Sequence, residues 1–126
     1  MNCHQERVAV ISKRQSGVLE FTRLLNGLGL FNISLRNTAK EIVELLDAGH
    51  RFGTLFFDNF DIHTDGDSVK SIAYCGAIDQ IILTADVNSR ERRHLLEWGK
   101  KRFVPMLQVV QLPIRREDLK RAINSP

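Results

Sequence analysis

Val8-Ala9-Val10-Ile11, Thr54-Leu55-Phe56-Phe57 and Gln80-Ile81-Ile82-Leu83-Thr84 are short apolar runs without polar alternation. A strand solvated on one face alternates apolar and polar side chains, so an unbroken run of this length implies cover on both faces. That requirement points to a parallel sheet sandwiched between helices. Asn32-Ile33-Ser34-Leu35-Arg36 does alternate, which suits a half-exposed strand at a sheet edge. Leu107-Gln108-Val109-Val110-Gln111-Leu112, ended by Pro113, is expected to be the fifth strand.

A helical pattern follows each strand. Ser16 is expected to cap the first, with Val18, Phe21, Leu24, Leu25 and Leu28 at helical spacing and Gly27 and Gly29 marking its end. Thr38-Ala39-Lys40-Glu41 forms a capping box before Ile42, Val43, Leu45 and Leu46, and Gly49 stops that helix. Asp61-Ile62-His63-Thr64-Asp65-Gly66-Asp67 reads as a loop leading to a short, weak helix around Val69, Ile72 and Ala73. Asn88 or Ser89 caps the fourth helix, which turns Leu95, Leu96 and Trp98 inward, keeps Arg90, Arg92 and Arg93 outside and ends near Gly99. Glu117 and Asp118 suit the start of the last helix, with Leu119, Ala122 and Ile123 facing the core.

Repeated strand-then-helix units require right-handed crossovers and a parallel sheet with helices on both faces. Five strands fit a flavodoxin-like α/β fold of order 2-1-3-4-5, which puts the alternating second strand at an edge. Strands one and three are then neighbours. Their carboxyl ends bring Ser12 and Lys13 beside Asp58, with Thr84 beyond, at the end of the sheet where such folds bind ligands and carry chemistry.

At 126 residues the chain is one domain spanning 1–126, with 43% hydrophobic and 26% charged residues, an ordinary globular composition. A net charge of +3 allows an acidic partner without calling for nucleic acid, and no direct nucleic-acid binding is expected. Cys3 and Cys75 lack metal-ligand spacing and read as reduced thiols. The polar amino terminus and the absence of a spanning apolar run lead to the expectation of a cytoplasmic protein with no membrane partner.

From Val8 to Ile123 the chain resembles a bacterial two-component response-regulator receiver domain of the CheY-like type. Four places carry the resemblance: Asp58 with Asp65-Gly66 after it, Leu83-Thr84-Ala85, Leu95-Leu96-Glu97-Trp98-Gly99, and Leu112-Pro113-Ile114 with Glu117-Asp118-Leu119. The resemblance implies that Asp58 is the phosphoacceptor and that the Thr84 hydroxyl contacts the phosphoryl group. It also implies an amino-terminal regulatory module of a larger regulator, with an output domain, a histidine kinase as partner and a possible homodimer. Transcription control and cyclic-dinucleotide turnover are among the outputs such modules serve.

The departures from the family pattern are specific. Ser12-Lys13 stands where the family has the acid pair that holds magnesium, Leu112 where it has a lysine, and Ile62 where the strand-three loop has a proline. Phosphoryl transfer to a carboxylate needs cations to neutralise the anionic donor, so these replacements remove most of the working set. The expectation is an atypical receiver that works by docking or dimerisation, is not an enzyme beyond self-phosphorylation on Asp58, and needs no cofactor, with Mg only if phosphorylation is retained. Lys13 either neutralises Asp58 directly or points to water. The alternatives are a receiver phosphorylated on Asp58 by a histidine kinase and, with less support, a flavodoxin-like domain that binds a nucleotide or flavin. Asp61, His63, Asp65 and Gly66 faintly resemble a calcium loop, but Ile72 falls where its bidentate glutamate belongs, so no metal site is expected. His4, His50, His63 and His94 read as surface groups. Arg90, Arg92, Arg93, Lys100, Lys101 and Arg102 form a basic surface that could dock an acidic partner.

Overall fold

The computed structural model describes residues 7–13 and 15–124, with side chains for all of these except 15–17 and 124. Cys3 and His4 lie outside the described residues. In chain order the elements are β1 (Val8–Ile11), α1 (Gln15–Gly27), β2 (Ile33–Arg36), α2 (Ala39–Asp47), β3 (Phe52–Phe57), α3 (Ile62–Tyr74), β4 (Ile78–Ala85), α4 (Ser89–Lys101), β5 (Gln108–Gln111) and α5 (Arg116–Asn124). The strands form one sheet of order β2-β1-β3-β4-β5, every pair parallel. This is the flavodoxin-like arrangement that the alternation requires.

Successive residues of a strand face opposite sides, so each unbroken run feeds two cores at once. Ala9, Ile11, Leu55, Phe57, Ile81 and Leu83 pack with Ile42, Leu46, Val69, Ile72 and Leu95 of α2, α3 and α4. Val8, Val10, Phe56, Ile82 and Val110 pack with Phe21 and Leu25 of α1 and Leu119 and Ala122 of α5. The edge strand β2 has only half-buried residues, as its alternation implies.

The expected capping box at α2 forms, and the expected cap of α4 proves to be a second box. Thr38 and Glu41 exchange bonds at α2, and Asn88, rather than Ser89, does so with Glu91 at α4. Four expectations are corrected. Helix α1 starts at Gln15, so Ser16 stands inside it. Residues 62–67 are not a loop: Asp61 caps His63 N–H at 2.9 Å, and α3 runs for 13 residues from Ile62. The helix forms over this length because its capping side chain and buried Val69 and Ile72 act together, although Gly66 and two nearby acids lower its local propensity. Gly99 does not end α4, which continues to Lys101. A Cβ at Gly99 would run into Leu107 Cδ2, so glycine there serves close packing. Strand β5 covers Gln108–Gln111, leaving Leu107 and Leu112 in its flanks. Trp98 is half-buried at the margin of the core, its ring 5.9 Å from that of Phe60. Among the described residues no helix is long and apolar enough to cross a membrane.

Candidate functional site

Register explains why three polar side chains meet. Val10 pairs with Phe56 and Phe56 with Ile82, one row across β1, β3 and β4. Two residues further along each strand, on the same face, stand Ser12, Asp58 and Thr84. The ladder continues past β1 and β3 through Asp58 N–H to Ile11 O at 2.9 Å and Ser12 N–H to Arg36 O at 3.0 Å.

All three side chains are buried, Asp58 to 5% residual exposure and Ser12 and Thr84 to 0%. The Thr84 hydroxyl donates to Asp58 Oδ1 at 2.8 Å, and the Ser12 hydroxyl donates to Asp58 Oδ2 at 3.3 Å. Thr84 Oγ1 also accepts from Asn59 N–H at 2.8 Å, while Phe60 N–H donates to Thr84 O at 2.7 Å. Asn59 reaches this position through a left-handed backbone, φ 56°, which asparagine tolerates better than most residues. The turn after β3 is thus clamped onto the end of β4. Asn59 was missed at the sequence level, where its only signal is an asparagine directly after the strand-terminal acid.

Lys13 goes neither to Asp58 nor simply to water. Its ammonium meets Asp65 Oδ1 at 2.6 Å, with half of the lysine side chain exposed and the aspartate side chain at 8%. Asp65 Oδ2 accepts from Asp61 N–H at 3.0 Å, and Asp65 N–H returns a bond to Asp61 O at 2.7 Å. Placing Asp65 on a loop hid this pair. As the fourth residue of α3 it faces back toward the loop after β1.

Asp58 also lines an open groove of about 1000 Å³ between α1 and the connection from β5 to α5. Its apolar wall is Phe21, Leu24, Leu112, Pro113 and Ile114, and its charged rim includes Glu20, Arg23, Asp86 and Arg116. Leu112, in the place where the resemblance expects a lysine, therefore presents hydrocarbon to the same space as the carboxylate. A magnesium ion takes oxygen ligands, usually one or two carboxylates among them. Asp65 is occupied by Lys13, Ser12 supplies a hydroxyl, and among the described residues no three His, Cys, Asp or Glu groups converge on a metal position.

The basic cluster divides. Arg90, Arg93, Lys100, Lys101 and Arg102 are exposed, whereas Arg92 is half-buried and its Nε donates to Val109 O at 2.9 Å, tying α4 to β5. His63 and His94 are exposed, and His50 is half-buried with its Nδ1 3.1 Å from an Arg7 guanidinium nitrogen.

No family model and no curated protein matches the chain. Solved structures do. A protein from Burkholderia pseudomallei described as pilus assembly-related superposes with a TM-score of 0.77 at 17% identity, over 98% of this chain and 90% of that one. A signal receiver domain of a two-component histidine kinase from Clostridium thermocellum gives 0.71 at 12% identity, over 96% of each chain. A CheY-like response regulator receiver domain from Methanospirillum hungatei gives 0.59 at 17%, over 90% of this chain and 86% of that one. These likenesses establish the fold, which is that of receiver domains.

Proposed function

We propose that the chain is an atypical receiver module of a signalling protein, regulating by docking or dimerisation rather than by magnesium-dependent phosphorylation. One observation carries the reading: both oxygens of Asp58 accept hydrogen bonds from the hydroxyls of Ser12 and Thr84, with Lys13 drawn to Asp65. The cationic groups of the family pattern stand elsewhere here: Leu112 faces the groove, Lys13 is paired with Asp65, and Arg23 and Arg116 belong to the groove's rim. Hydroxyls that donate to the carboxylate instead support a single resting arrangement, held by charge-assisted hydrogen bonds. The scaffold is shared by a signal receiver domain and by a protein described as pilus assembly-related, and a partner-binding module without chemistry fits either setting. Its own output domain, a kinase or a second copy are the partners this reading admits.

A second reading has its own support. Asp58 borders the open groove, and the Thr84 hydroxyl lies at 2.8 Å, so a small phosphodonor has a route to the carboxylate. Intact mass after incubation with acetyl phosphate and magnesium, beside an Asp58→Ala control, separates the two. Unchanged mass in both folded proteins is the expected result. Gain of one phosphoryl group in the parent alone would replace the proposal with the second reading.

A further inference from the structure

The Asp58 site leaves unused a set of aromatic and basic side chains at the opposite end of the sheet. Because every strand pair is parallel, the connections entering β2, β3, β4 and β5 all lie at the strands' amino-terminal ends. Among the described residues five large apolar side chains are strongly exposed, and four belong to this end: Phe31 at 73%, Tyr74 at 94%, Phe103 at 89% and Met106 at 49%. Isolated exposed apolar groups such as Phe31 and Tyr74 are ordinary, but Phe103 and Met106 share one connection beside exposed cations, and such a pairing marks a contact surface.

The connection from α4 to β5 holds its pair outward. Val104 is buried and its N–H donates to Gly99 O at 3.0 Å, Pro105 O accepts from Ile81 N–H at 3.2 Å, and Leu107 covers Gly99. Between these anchors Phe103 and Met106 both take left-handed backbone, φ 57° and 43°. Bulky side chains rarely adopt it, and such strain persists where the surroundings impose it, often at functional positions. Directly before Phe103 come Lys100, Lys101 and Arg102, all exposed. Arg51 is also exposed at this end, as are the acids Asp47, Asp79 and, one turn before Lys101, Glu97.

A folded protein partner would need a matching hollow for each separated projection. A bilayer interface rearranges around each one, and its anionic headgroups complement the cations between them. We propose that this end of the domain contacts an anionic membrane surface, with Phe103 and Met106 entering the headgroup region and Lys100, Lys101 and Arg102 meeting phosphate and carboxylate groups. The expectation of no membrane partner rested on the absence of a spanning segment, and surface contact needs none. The contact is independent of phosphorylation at Asp58, and it turns the Asp58 groove away from the bilayer.

The test is cosedimentation of the full chain with phosphatidylcholine vesicles with and without phosphatidylserine. Binding is expected only with phosphatidylserine. Lys100→Glu with Lys101→Glu, and separately Phe103→Ser with Met106→Ser, should each weaken it about tenfold while retaining the parent's thermal unfolding curve. Should either pair fail to fold, Phe103→Trp supplies the readout, its emission shifting to the blue on phosphatidylserine vesicles relative to the parent blank. Absence of binding to phosphatidylserine vesicles would overturn the proposal, as would binding unaffected by either pair or an unshifted Phe103→Trp spectrum. Capture of an acidic protein by the same loop, without lipid binding, would also count against it.

Discussion

Asp58 is an acid whose role depends on the groups beside it. Its two hydroxyl partners were legible in the sequence as strand-terminal residues, Ser12 and Thr84, because a parallel sheet aligns the ends of adjacent strands. The destination of Lys13 was not, since it turns on whether Asp65 stands in a loop or in the first turns of a helix. Lys13→Ala should destabilise the domain by about 1 kcal/mol, between the values for exposed pairs and for buried ones broken on one side. Urea denaturation measures it. If the missing cations are what disable phosphoryl transfer, a chain carrying Ser12→Asp, Lys13→Asp and Leu112→Lys together should gain a phosphoryl group from acetyl phosphate with magnesium. Intact mass checks this, and an unmodified but folded variant would locate the deficiency elsewhere.

Helix starts are where local sequence and observed structure agree or part most clearly. The boxes at Thr38–Glu41 and Asn88–Glu91 form because each side chain satisfies a backbone donor of the other residue, a relation local enough to be read from spacing alone. Thr38→Ala and Asn88→Ala should each cost about 1 kcal/mol, visible as lowered denaturant midpoints with unchanged slopes. The start of α3 was misread because Asp61, Asp65, Gly66 and Asp67 together resemble turn chemistry. In the structure Asp61 is a cap, Gly66 lies against Trp98, and Asp65 bonds back to the turn, so tertiary contacts override weak propensity. Asp61→Ala should therefore destabilise by about 1 kcal/mol, a loss that a flexible loop would not show on the same denaturation curve.

At the scale of the whole molecule, one sheet separates two cores that share every central strand. Phe56 and Phe57 are adjacent in sequence but fill opposite cores, each ring against another phenylalanine, Phe21 and Phe60 respectively. Phe56→Leu and Phe57→Leu should each lower stability by about 1–3 kcal/mol in a single cooperative transition, since the two layers have the sheet in common. Coincident curves from far-ultraviolet circular dichroism and Trp98 fluorescence would establish that cooperativity, and separate transitions would show that the layers unfold independently. The amino-acid sequence by itself determined the five strand-helix units, the edge position of β2 and the meeting of Ser12, Asp58 and Thr84, because unbroken apolar runs, alternation and strand ends follow from local patterning and the handedness of crossovers. Only the tertiary structure decided that Lys13 serves Asp65, that Asn59 clamps Thr84 and that Phe31, Tyr74, Phe103 and Met106 stand exposed at the same end of the sheet. Those relations join residues distant in the chain, and their geometry is set by packing rather than by neighbours in sequence.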